Sequence, residues 1–183
     1  LYAQDLIAIT PQFKTFLALR GDRFTNKALV SGVQTGHNSE SALSPRVGLV
    51  WQPLEATSLF ANWSRSHAPN VGHGANENTF EAEIAEQVEV GVKQQFLDNR
   101  LSASLAVFRL DRSNILTTDP LDPTRQVLTG QQASEGVELD AVGAITLDWK
   151  VIASYTYTHA FVRSDTNLPV GDRLSNAPRH HAS

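Results

Sequence analysis

Hydrophobic and polar residues alternate along most of this chain with a period of two. In SPRVGLVWQP, residues 44 to 53, Val47, Leu49 and Trp51 fall on one parity and Arg46, Gly48 and Gln52 on the other. Successive side chains of a strand point to opposite faces, so the segment reads as a two-faced β-strand. Eight such candidates lie near 1 to 10, 13 to 24, 44 to 53, 57 to 67, 85 to 96, 101 to 115, 127 to 143 and 149 to 162. Leu59, Ala61 and Trp63 oppose Ser58, Asn62, Ser64 and Ser66, and Val88, Val90 and Val92 oppose Gln87, Glu89 and Lys93. Val137, Leu139 and Ala141 oppose Glu138 and Asp140, and Val151, Ala153, Tyr155 and Tyr157 oppose Lys150, Ser154, Thr156 and Thr158. The first two candidates alternate less well, with Asp5 and Phe16 on neither face cleanly.

The connections alternate between short and long. Tight turns are expected at Pro11 and Gln12, Pro53 to Ala56, Asp98 and Asn99, and Thr146 to Asp148. Long connections are expected at 25 to 43, 68 to 82, 116 to 126 and 163 to 178, all rich in turn-forming residues. Every tight turn therefore falls at one end of the sheet. Outer-membrane barrels have this asymmetry, with short periplasmic turns and long extracellular loops. Charge on the polar parity (Arg46, Glu89, Lys93, Glu138, Asp140) and the aromatic residues Trp51, Trp63, Trp149, Tyr155 and Tyr157 match a polar lumen and interfacial girdles. The expected fold is all-β, an antiparallel transmembrane barrel segment of about eight strands.

Composition narrows the alternatives. The chain has 183 residues, of which 41% are hydrophobic, and its mean hydropathy is -0.23. No stretch approaches the roughly 18 apolar residues of a membrane helix. A formal charge of -4 with no basic run gives no footprint for nucleic acid. Cysteine is absent, which removes disulfides and thiolate chemistry.

The strings SPRVGLVWQP, SLFANWSRSHAPN, AEQVEVGVKQQFLDNRLSASLAVFRLDRSNILTTDP, GQQASEGVELDAVGAITLDWKVIASYTYTHA and LPVGDRLSNAPRHHAS resemble, in consistent order, the TonB-dependent siderophore receptors, especially the ferrichrome-type branch. The resemblance implies that residues 1 to 183 belong to a barrel of about 22 strands. It also implies an N-terminal plug domain with a TonB-contacting box and further strands, none of which this sequence contains. The chain is therefore expected to be a barrel fragment.

Enzyme motifs are missing: there is no G-x-S-x-G, no H-E-x-x-H and no Walker loop. Glu138 and Asp140 read better as lumen charges than as a catalytic pair, and His37, His67, His73, His159, His180 and His181 have no ligand spacing. No metal site and no cofactor are expected. Ligand contacts are expected on the loop HAPNVGHGANENTF, through His67, Asn70, His73, Asn76 and Phe80. Arg65, on the apolar parity near the outer rim, is expected to snorkel. The implied function is TonB-energised uptake of a ferric siderophore, hydroxamate in type, across the outer membrane. The implied partners are the siderophore as transported ligand, the TonB complex acting through the absent plug region, and outer-membrane lipid. A passive porin, an outer-membrane enzyme and a soluble β-sandwich binding module are the rival readings.

Overall fold

The computed structural model describes residues 1–30, 33–70, 80–175 and 177–183. They form a single antiparallel sheet with strands in chain order: β1 (Tyr2–Ala8), β2 (Phe13–Val30), β3 (Val33–Leu54), β4 (Thr57–Ala68), β5 (Glu83–Phe96), β6 (Leu101–Thr118), β7 (Gln126–Ala144), β8 (Lys150–Ser164) and β9 (His180–Ala182). Each strand pairs with its sequence neighbours, and β1 and β9 form the two edges. The eight anticipated strands are present, and a short ninth, β9, pairs His180–Ala182 with β8.

All four tight turns close at one end. Thr10 caps the first, its Oγ1 accepting from the Phe13 amide at 3.0 Å. Leu97, Asp98 and Asn99 make the third with φ of 53°, 55° and 66°. That left-handed conformation is tolerated best by Asn and Asp. Thr146 Oγ1 accepts from the Trp149 amide at 3.0 Å in the fourth.

One expected long connection is instead a ladder. Residues 25–30 and 33–43 continue β2 and β3, with Arg23 paired to Ser41, Thr25 to Ser39 and Val30 to Val33 across a bulge at Ala28/Leu29. Their turn-rich composition suggested a loop, but this stretch contains no proline. The three connections that do leave the sheet carry Pro69, Pro120 with Pro123, and Pro169 with Pro178. Proline lacks the N–H a ladder needs, and each of these connections carries at least one, whereas Pro45 of β3, opposite Leu19, is accommodated mid-ladder.

The register sorts the faces. One apolar row runs Trp51, Leu59, Val92, Leu105, Leu139, Tyr155, and the next runs Leu49, Ala61, Val90, Val107, Val137, Tyr157. These side chains are uncovered, Val90 at 50% and Val107 at 53% exposure. The opposite face carries the polar row Ser58, Lys93, Ser104, Asp140, Ser154. Phe16, Phe60 and Phe108 also stand on this polar face, each paired directly with a glycine of the next strand: Gly48, Gly91 and Gly136. A Cβ at Gly91 would lie 2.7 Å from Phe60 Cε1, and one at Gly136 would lie 2.8 Å from Phe108 Cζ. The Phe60 and Phe108 rings thus occupy the space that Gly91 and Gly136 leave open, while at Gly48 the nearest group is Asn62 Oδ1, at 2.9 Å, with Phe16 Cβ at 3.5 Å. The register resolves Phe16, whose parity was ambiguous in the sequence. Buried residues, among them Ala82, Ala133, Ala160 and Val162, gather where the long connections meet the strands.

Candidate functional site

The end bearing the long connections is tied down by side chains reaching across strands. Asn70 Nδ2 donates to the Glu81 carbonyl at 2.8 Å and to the Asn114 carbonyl at 2.7 Å. Asn114 sits in a β6 irregularity with φ 58° and donates from Nδ2 to the Ala82 carbonyl at 3.1 Å. Ala82, 1% exposed, donates its amide to Glu40 Oε2 at 2.8 Å. Arg112 grips Glu83 with two N–H donors at 2.7 and 2.9 Å and reaches Gln132 at 3.4 Å. The described stems of the connection after β4 are therefore fastened, Asn70 to β6 and Ala82 to β3 and β6.

On the apolar parity, the rows turn charged toward the same end. Arg65 lies 3.7 Å from Glu86, Arg109 is 2.9 Å from Asp111 and 3.4 Å from Glu135, Arg163 is 2.8 Å from Asp111, and His159 is 3.7 Å from Glu135. Arg65, expected to snorkel, has the Glu86 carboxylate beside its head. These pairs are partly exposed and contribute little individually.

The polar face lines two adjoining concavities. One, of about 370 Å³, is bordered by Lys14, Phe16, Arg46, Asn62, Gln87 and Glu89. The other, of about 350 Å³, is bordered by Arg20, Ser44, Arg46, Ser64, His67 and Gln87. Arg46, Ser64 and Gln87 belong to both.

Of the anticipated ligand residues, His67 borders the second concavity, its Nδ1 3.3 Å from Ser44 Oγ. Asn70 is the loop anchor already described, and Phe80 is half-buried beside Ala82. His73 and Asn76 lie outside the described residues. The structure brings Arg20 and Arg46 toward His67, a grouping the sequence reading missed. Strand parity gave the signal for Arg20, Ser44, Arg46 and Ser64, which share the polar parity of paired strands, but not for His67, which has the parity of Trp63 and Arg65 and meets Ser44 at the end of β4. Among the described residues, no three His, Asp or Glu side chains come close enough to hold a metal ion.

A long-stranded antiparallel sheet with one uncovered apolar face, one polar face and turns sorted by length defines the wall of a membrane β-barrel. The family model for the TonB dependent receptor-like β-barrel matches residues 1–183. The chain belongs to that family, whose members are outer-membrane β-barrels.

Its relatives include the metal-pseudopaline receptor CntO of Pseudomonas aeruginosa, 34% identical over 98% of this chain and 26% of the relative. The ferrioxamine B receptor of Salmonella typhimurium is 30% identical over 89% of this chain and 24% of its own length. Among solved structures, the ferric-catecholate import receptor Fiu of E. coli superposes with a TM-score of 0.81 at 24% identity, covering 98% of this chain and 30% of Fiu. The ferripyoverdine receptor of Pseudomonas aeruginosa gives 0.80 at 22% identity, covering 99% and 24%. At those identities the superpositions establish the fold. The named relatives are transport receptors, not enzymes. This chain spans about a quarter of the length of the relatives it matches.

Proposed function

We propose that this chain is a stretch of barrel wall, with its extracellular loops, from a TonB-energised receptor that imports a ferric siderophore of hydroxamate type. The apolar rows meet lipid and the polar rows line the lumen. A plug region and further strands complete the protein, and the plug carries the contact with the TonB complex. The ligand is met at the outer end by His67, Asn70, His73, Asn76 and Phe80. No cofactor takes part, because the ligand passes through unaltered.

The observation that carries this reading is the family membership of a sheet whose polar face is concave toward anchored loops. The relative named for ferrioxamine B supports the hydroxamate assignment. A second reading is favoured by the relative named for metal-pseudopaline: uptake of a different metal chelate through the same wall.

The test is uptake of radioactive iron by cells expressing the full-length receptor as their sole siderophore receptor. Uptake from a ferric trihydroxamate that ceases when tonB is deleted is the expected result. Uptake that persists without TonB would replace the reading with passive diffusion. Uptake of another metal chelate in place of the trihydroxamate would favour the second reading.

A further inference from the structure

The charges of the polar face are not evenly spread. Toward β2 and β3 they are Lys14, Arg20 and Arg46 against Asp22 and Glu40, and toward β5 to β7 they are Glu83, Glu89, Glu138 and Asp140 against Lys93 and Arg112. Of the cations at the β2–β3 side, Arg20 is occupied by Asp22, with Nε 2.8 Å from the carboxylate. Arg46 has no ion-pair partner among the described residues. It stands where the two concavities join, with Ser44, Ser64, Gln87 and His67 offering hydrogen bonds around it, and with Glu89 on the border of the first concavity and Asp22, already held by Arg20, on that of the second.

A guanidinium presents a planar fork that matches a carboxylate with two parallel hydrogen bonds, and hydroxyl and amide groups on its flanks can serve the remaining lone pairs. A ferric trihydroxamate core is neutral, three monoanionic hydroxamates balancing Fe³⁺, so it offers Arg46 nothing to pair with. We infer that the concavity around Arg46 binds a pendant carboxylate of the transported chelate, so that this receptor selects metal chelates carrying an anionic arm over those with a neutral or cationic arm. The inference rests on the receptor reading above and adds the charge class of its ligand. Arg46 supplies the pairing, and Ser44, Ser64 and Gln87 set the geometry. Glu89 on the far border of the first concavity, with Glu138 and Asp140 beyond it, repels the arm and fixes the orientation in which the chelate enters.

The test uses the full-length receptor and a matched pair of probes: a linear ferric trihydroxamate ending in an amine, and the same chelate with that amine succinylated. Dissociation constants come from quenching of intrinsic tryptophan fluorescence. The succinylated form should bind about tenfold more tightly than the amine form, and raising the salt should shrink that preference because it is electrostatic. Arg46→Gln should bring the two constants within about twofold of each other, and Arg46→Lys should retain part of the preference. The salt series on the unaltered receptor tests the same point if Arg46→Gln fails to assemble. A preference for the amine form, or a preference unchanged in Arg46→Gln, would overturn the inference while leaving the receptor reading intact. The second result would mean that another part of the protein occupies Arg46. Binding of neither probe would overturn both.

Discussion

Placing an arginine at Val90 asks directly which face of the sheet meets lipid. Val90 pairs with Ala61 on one side and Val107 on the other, and is flanked on its own strand face by Val88 and Val92. On that face the first charge is Glu86 and the last apolar residue before the tight turn is Phe96. The ten residue steps between them cover about 33 Å at ~3.3 Å per residue. At a tilt near 45° that is about 23 Å of height, close to the thickness of a barrel's apolar band. Val90 is four steps from Glu86 and six from Phe96, close to the middle of that band. An arginine there should cost about 2–4 kcal/mol, which is roughly a 30- to 800-fold loss in the folding equilibrium. The control is Gln87→Arg, on the opposite parity beside Arg46, where a water-filled lumen should hold the cost to about 1 kcal/mol or less. Folding of the full-length receptor into phosphatidylcholine vesicles, followed by heat-modifiable gel mobility across a urea series, reads both. A Val90→Arg protein that folds like the parent while Gln87→Arg does not would reverse the faces. The lumen assignment of Arg46 would fall with them.

Three further outcomes follow from the geometry. Gly91→Ala should destabilise by about 1–3 kcal/mol through overpacking. Its new methyl would lie 2.7 Å from both the Leu105 carbonyl and Phe60 Cε1, so adding Phe60→Leu should recover only part, and full recovery in a urea midpoint would refute the role of the carbonyl. Arg112→Met and Glu83→Gln should show a coupling of about 1 kcal/mol in a double-mutant cycle, discounted because Arg112 is 42% exposed; additive effects would show the two-pronged contact to be energetically idle. In the connection after β6, the Thr124 hydroxyl and amide donate to Asp122, and with the nearby Arg125 cation they hold its carboxyl below the ordinary carboxylate range. A depressed folded-state pKa stabilises above the unfolded value and is lost as pH falls through the folded one, so protection of the Thr124 amide from exchange should be constant at neutral pH, fall on acidification, and be low and pH-independent in Asp122→Asn.

What the sequence disclosed follows the range of the interactions involved. Strands and tight turns are local and periodic, so Val88, Val90 and Val92 or Asp98 and Asn99 announce them within a few residues. The extension of β2 and β3 was hidden because composition alone does not separate a loop from a hairpin standing clear of an apolar layer. The relevant distinction was the lack of a proline between 25 and 43, a negative feature that a search for turn formers overlooks. Phe16, Phe60 and Phe108 broke the parity rule for a reason written on other strands, at Gly48, Gly91 and Gly136, and became interpretable only through the register. They recur with the hairpins, so the pairing of a polar-face ring with a glycine one strand later was visible as a repeat had it been sought.

The candidate site is the most dispersed part, and its chemistry changed most between sequence and structure. Asn70 was picked out as a hydrogen-bonding group in a loop. Its partners, Glu81 and Asn114, lie 11 and 44 residues away, and together they make it a strut for that loop. Arg46 drew notice only as a polar-face charge on its strand. What singles it out is that Arg20, the neighbouring cation, already has Asp22, while Arg46 faces hydroxyls and an amide where two concavities join. An unpaired guanidinium in a polar hollow is a relation among four strands. Only the fold assembles it, and for that reason the charge class of the ligand is better argued from the wall than from the loop motif that first drew attention.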